Sequence, residues 1–346
     1  MQKRSTLSYL FWPFVVTAMG IMLSGWLGWV TEGTMGGVMS FLIVGIVLAA
    51  LEISLSFDNA IVNANKLKDM TPVWRHRFLT WGILIAVFGM RIVFPLAIVA
   101  IFAWVNPFEA MRLALAEPEQ YSQIIGHAHG PIAAFGGTFL MMVALNFFVD
   151  GDKDIDWIKS LERFLRKCGS VRGFEIGFVL LIVVVICRAL PYEEQGTFLF
   201  SAIIGMLTFL AVDGLGTYLD TTSQKASAAG AGGLGAFLYL EVLDASFSFD
   251  GVIGAFALTS NILLIAIGLG VGAMYVRAMT IMLVERGTLQ EFLYLEHGAF
   301  YSIFALSIIM FLQSLFHVPE IITGFIGIAL IGGALFSSIR HKNAQE

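Results

Sequence analysis

The sequence predicts an all-α, polytopic membrane protein of about ten transmembrane helices arranged as two inverted repeats. Three observations predict it: a strongly apolar composition, ten apolar segments of spanning length, and a nine-residue phrase that occurs twice in altered form.

Of the 346 residues, 58% are hydrophobic and 13% are charged, against roughly 45–50% and about 25% in soluble domains. A water-soluble fold would have nowhere to put that apolar surface, so the bilayer is the main solvent. The 36 glycines lie mostly in apolar runs, such as Ile326-Gly327-Ile328 and Gly332-Gly333. Small residues there let helix backbones approach closely in lipid. Cys168 and Cys187 are the only cysteines and imply no disulfide framework. Lys3 and Arg4 resemble the start of a signal peptide. The uncharged run from Leu7 to Val30 is too long for one, however, and reads as a retained helix.

Segments of about 20 apolar residues span a bilayer, and backbone satisfaction makes them helices. They fall near 8–30, 38–64, 78–105, 130–149, 174–191, 196–218, 233–257, 260–282, 298–316 and 319–339. The fifth is the weakest, bounded by Glu175 and Arg188. A turn at His317-Val318-Pro319 separates the last two, with Pro319 and Glu320 suited to a helix start. Alternate connections hold sixteen Lys and Arg, among them Lys225, while the opposite side holds Arg112 alone. The positive-inside rule then predicts a multi-pass protein of the cell (inner) membrane with both termini, Met1 and Glu346, cytoplasmic.

Residues 52–60 read Glu-Ile-Ser-Leu-Ser-Phe-Asp-Asn-Ala, and 244–252 read Asp-Ala-Ser-Phe-Ser-Phe-Asp-Gly-Val. The following span in each half carries one Arg, Arg91 and Arg277, and the next opens on His-Gly, at 129–130 and 297–298. Spans 2, 3 and 4 thus match 7, 8 and 9. The offset of five is odd, which inverts one copy relative to the other, as in many secondary transporters. The chain divides accordingly into residues 1–192 and 193–346, five helices each. The connection 150–172 adds a cytoplasmic amphipathic segment, apolar at Trp157, Leu161, Phe164, Leu165 and Cys168 with Lys and Arg between. It reads either as a helix on the anionic leaflet or as a solvated helix packed on its own protein.

Ionisable groups inside a span are expensive, roughly 2.5–3.5 kcal/mol each, and mark function. Glu52, Ser56, Asn59 and Asn63 recur at helical spacing as one polar stripe, and Glu241, Asp244, Ser248 and Gly251 form its match. Asp58 and Asp250 fall about 120° away on straight helices. An unwinding at Asn59 or Gly251 would bring them back, and both geometries stay open. The candidate ligands are Glu52, Asp58, Asn59, Asp244 and Asp250, supported by Ser56, Asn63, Glu241, Ser248, Arg91 and Arg277. This oxygen-only set suits Mg²⁺, Ca²⁺ or Mn²⁺ over zinc or copper. The competing readings are a proton relay and acids that merely pair with Arg91 and Arg277.

Weaker signals are His127-Ala-His129 near Glu117 and Glu119, which could collect metal outside, and Asp213, which could line an exit. The acidic run Asp150 to Asp156 lacks the turn glycine and terminal Glu of a calcium loop and reads as a charged helix start.

The phrase at 52–59, its acid-bearing copy at 244–250, His297-Gly298 and the segment Gly136 to Met142 resemble the TerC-type family. Within it they are most similar to the branch called domain of unknown function 475, in a lysine-exporter-like superfamily. The resemblance covers most of the chain. It implies an association with tellurium resistance and manganese efflux, and implicates Glu52, Asp58 and Asn59 with, by the repeat, Asp244 and Asp250. Gly251 departs from the pattern where Asn59 stands in the first copy.

The expected function is export of a hard divalent cation, Mn²⁺ first, driven by proton exchange or membrane potential. There is no phosphate-binding loop for ATP, and the chain is not expected to be an enzyme. The metal ion is substrate, with no tightly bound cofactor. The other expected partner is the bilayer, with a homo-oligomer left open and no nucleic acid. The rivals are an intramembrane aspartate-dependent hydrolase and a non-transporting membrane partner in metal or tellurium resistance.

Overall fold

The computed structural model describes residues 6–82, 85–151, 153, 155–226, 233–287, 291–316 and 318–344. Among them no strand forms. The helices are α1 Thr6–Glu32, α2 Met35–Leu55, α3 Phe57–Asp69 and α4 Pro72–Arg77. Two π-helical segments follow, Phe78–Gly82 and Ile85–Val93. Then come α5 Phe94–Phe102, α6 Pro107–Ala116, α7 Pro118–Val149, α8 Lys159–Gly169 and α9 Phe174–Ala189. The second half holds α10 Tyr192–Ala226, α11 Leu234–Leu258, α12 Ile262–Arg286, α13 Leu295–Gln313 and α14 Glu320–Asn343.

Local chemistry sets several boundaries. The Thr34 hydroxyl accepts from the Gly37 amide at 3.1 Å and starts α2. The Asn261 side chain accepts from the amides of Leu263 and Leu264 and starts α12. Gly287, at φ +67°, closes α12 in the left-handed conformation that favours glycine.

Each of the ten expected spans has a helical counterpart, and seven are long and apolar enough to cross a bilayer by themselves. The other three fall short for different reasons. The third is broken into the π-helical segments and α5. The fifth, α9, has only 16 residues, about 24 Å at 1.5 Å per residue, and it meets α8 at a 103° bend. The seventh, α11, is long enough but carries three acids, Glu241, Asp244 and Asp250. The second breaks at Ser56, with φ −104° and ψ 13°. The interruption therefore precedes Asn59, and α11 runs unbroken through Gly251.

Two boundaries correct the sequence reading, and one helix adds to it. α7 begins at Pro118, so His129 lies inside a helix rather than at its start. α10 continues to Ala226, which puts Lys225 on a helix rather than in a connection. The segment before α7 forms the short helix α6, capped by the Asn106 side chain. Lys3, Arg4, Asp152, Asp154, His317 and Glu346 lie outside the described residues, as do the side chains of Lys225, Asp250 and Glu320.

α7 and α13 form the buried centre, while α1, α2, α10 and α14 are largely uncovered. Phe11, Trp12, Trp26, Phe200, Phe325 and Phe336 are exposed, as lipid-facing residues should be. Within the centre, α2 and α3 pack on α12, and α3 also on α13, while α11 packs on the Ile85–Val93 segment and α7. Both sets of contacts join a second-span element to the third and fourth spans of the other copy.

Candidate cation site

The polar stripe of the second span and that of the seventh meet at a small cavity of about 50 Å³. Glu52, Ser56, Asn59 and Asn63 line it from α2 and α3, Glu241 and Asp244 from α11, and Arg91 and Arg277 from the third and eighth spans. Eight of the eleven residues singled out in the sequence thus share one cavity. The sequence reading missed Gly82 and Thr280, which line the cavity together with Phe78, Leu79, Ala273 and Val276. Gly82 leaves room for an acid, because a Cβ there would lie 2.8 Å from Glu241 Oε1. A small residue in an apolar run gives no signal of that kind.

The charges are unequally satisfied. Glu52 is buried, accepts from Ser56 Oγ at 2.9 Å and pairs with Arg91. Arg91 comes from a π-helical turn, a distortion common at functional sites. Arg277 breaks the repeat: its Nη2 donates to the Leu79 carbonyl rather than to an acid. Asn59 Nδ2 donates to Asp244 Oδ1 at 2.5 Å, tying α3 to α11.

Four buried acceptor oxygens on residues of this cavity receive no hydrogen bond among the described residues: Asn59 Oδ1, Asn63 Oδ1, Glu241 Oε1 and Asp244 Oδ2. Buried polar atoms are nearly always satisfied, so such a cluster calls for a missing partner. Arg277 Nε, on the same lining, is a buried donor without an acceptor among the described residues, so the four acceptors call for a cation or for water that bridges to it. Among the described residues, no three His, Cys, Asp or Glu side chains gather as a metal-binding group, so a ligand set here draws on neutral oxygens as well, of which the two amides are the unsatisfied ones.

Other candidates are placed elsewhere. Asp58 is buried but turned from the cavity: Oδ1 accepts from the Asn59 amide and Oδ2 from Ser302 Oγ of α13, both at 2.8 Å. The Ser56 break therefore does not rotate Asp58 onto the stripe. Ser248 is buried, its hydroxyl unpartnered, outside the lining. Gly251 packs against Glu52. His127 and His129 line a separate cavity with Glu193 and Glu194, not with Glu117 and Glu119. Asp213 is exposed on α10.

A second buried polar centre was not visible in the sequence. Glu162 of α8 is fully buried; it pairs with Lys153 at 2.6 Å and accepts from the amides of Trp157 and Ile158 at 3.0 Å. It also accepts from the Tyr301 hydroxyl and lies 3.4 Å from His297 Nε2. Burial pushes its carboxyl up, but Lys153, the Ile158 amide and His297 outweigh this and hold it below the ordinary Glu range. His297 is thus anchored to α8 and to the Ile155 carbonyl, away from the central cavity. In the acidic run, Asp156 pairs with Arg166 and Arg163.

The family described as "Protein of unknown function (DUF475)" matches residues 57–345 of the chain. No curated protein and no solved structure matches it.

Proposed function

The chain belongs to this DUF475 family, and we propose that it is a membrane transporter exporting a hard divalent cation, most of all Mn²⁺. The observation that carries the reading is the set of four unsatisfied acceptor oxygens on Asn59, Asn63, Glu241 and Asp244. Two carboxylates and two amide oxygens give two negative charges and an all-oxygen shell, the chemistry of Mn²⁺, Mg²⁺ and Ca²⁺. Glu52 is neutralised by Arg91 and belongs to the frame that positions this shell. Asp58 belongs to the frame as well, through Ser302.

Size separates the substrates. A cavity of about 50 Å³ has room for an ion with one or two waters, at about 30 Å³ per water. Pockets that bury organic ligands run to roughly 300–1,000 Å³, so the size favours an ion over an organic substrate. The resemblance of the 52–59 phrase to TerC-type proteins favours manganese within the oxygen-loving ions. The hydrolase reading needs two free acids facing one substrate. Glu241 and Asp244 do share the cavity, but at about 50 Å³ it is far smaller than the clefts of roughly 300–1,000 Å³ that take organic substrates, which favours transport. The positive-inside count supports cytoplasmic termini, and the export direction is taken from the resemblance to TerC-type proteins.

The test is uptake into sealed vesicles holding the purified chain, with Mn²⁺, Mg²⁺, Ca²⁺ and Zn²⁺ compared under a pH gradient and under a membrane potential. Mn²⁺ flux abolished by Asp244→Asn supports the proposal. Flux absent for all four ions under both gradients would overturn it.

A further inference from the structure

We propose that the outward face of α8 is a docking surface for anionic phospholipid headgroups of the leaflet in which α9 is seated. The two faces of α8 are sharply different. Glu162 points inward to the buried centre with Lys153, His297 and Tyr301, so one side of the helix is clamped to the protein. The other side presents Leu161, Phe164 and the following Val171 at 42%, 60% and 63% exposure. Exposed around them stand four cations, Lys159, Arg163, Lys167 and Arg172. An 11-residue helix that shows water large apolar side chains interleaved with cations is built for an interface with both an apolar and an anionic layer.

The bend fixes the orientation. α8 and α9 meet at 103°, and Gly173, at φ +76°, makes the corner with a conformation that favours glycine. If α9 enters the bilayer along its apolar length, α8 lies nearly in the membrane plane, at headgroup depth. Few acids oppose the cations there. Asp156 is taken by Arg166 and lies 3.7 Å from Arg163, Glu162 is buried, and Glu175 is half-buried in the first turn of α9. Polybasic segments beside a membrane are attracted to its anionic lipids and lose that attraction when the charge is removed. The sequence left two alternatives, a helix on lipid or a helix on protein. The structure assigns one face to each.

The experiment is hydrogen–deuterium exchange of residues 159–172 in the full chain held in lipid nanodiscs. Three conditions are compared: phosphatidylcholine, phosphatidylcholine with phosphatidylglycerol, and phosphatidylcholine with added inorganic phosphate. Exchange slowed at least about fivefold by phosphatidylglycerol alone is the expected result. The combined variant Lys159→Gln, Arg163→Gln, Lys167→Gln and Arg172→Gln should abolish that slowing while α7 and α13 keep their protection. Equal protection in pure phosphatidylcholine, or retention of the effect in the variant, would overturn the proposal. So would protection by free phosphate, which would indicate a phosphate site rather than a lipid surface.

Discussion

Asn59 Nδ2 donates to Asp244 Oδ1 across the contact between α3 and α11. The residues matching these two in the opposite copies, Gly251 and Glu52, also touch: a Cβ on Gly251 would lie 3.3 Å from Glu52 Oε2. This is one contact made twice with the copies exchanged, and only one version carries an amide. The two pairs occupy matching positions of the repeated phrase and differ in chemistry. Arg91, by pairing with Glu52, supplies the partner that Gly251 cannot.

Asn59→Ala should therefore weaken both the fold and the site. A buried acceptor that loses its donor costs about 1–3 kcal/mol, so the melting temperature in detergent should fall. Mn²⁺ affinity by calorimetry should fall at least about tenfold, as when a partner that orients a ligand is removed. Affinity unchanged by this substitution would mean that the amide neither orients Asp244 nor contributes a ligand.

Arg91→Gln leaves Glu52 as an uncompensated buried charge, a change that costs roughly 3–5 kcal/mol. Adding Glu52→Gln should restore most of the lost stability, because the pair is then neutral on both sides. Asp58→Asn should give no such rescue, since Asp58 is held by Ser302 and not by Arg91. Thermal unfolding of the two double variants separates these partners.

Gly272→Ala tests the packing around Glu52. The added Cβ would lie 2.4 Å from Glu52 Cβ and 3.0 Å from the Ala49 carbonyl, and overpacking of this kind costs about 1–3 kcal/mol. Gly130→Ala, with nothing within 4 Å of its Cβ, should leave stability nearly unchanged. Equal melting temperatures for both variants would contradict the close approach of α12 to α2.

The Glu162 centre predicts a dependence on pH. Its carboxyl is held below the ordinary value of 4.5, so it binds a proton more readily unfolded than folded. Its contribution is fully present above the unfolded value and is lost as pH falls through the lowered native one. Unfolding temperature followed from pH 6 downward should drop for the parent chain. For Glu162→Gln it should start lower and fall less steeply. A parallel acid loss in both would take Glu162 out of this role.

Much of the site was legible because a helix repeats every 3.6 residues. Glu52, Ser56, Asn59 and Asn63 announce a shared face by spacing alone, and duplication at 241–248 says which second helix meets it. Asp58 was not decidable, because its direction depends on the backbone at Ser56, whose break no residue type there requires. Glu162 was invisible for another reason. Its partners His297 and Tyr301 lie more than 130 residues away, and a lone Glu on a basic helix reads as a solvated charge. The broken third span was hidden as well: the run from Phe78 to Phe102 is apolar throughout except for Thr80 and Arg91, and π-helical turns leave no compositional mark.

On the proposed function, one divalent ion sits among Asn59, Asn63, Glu241 and Asp244. Anomalous diffraction at the manganese edge, from crystals of the full chain grown with Mn²⁺, reads this position directly. A single peak within bonding distance of oxygens from those four residues, lost in Asp244→Asn crystals, is the predicted result. A peak beside Asp58 and Ser302, or none in the central cavity from protein that transports Mn²⁺, would contradict the account.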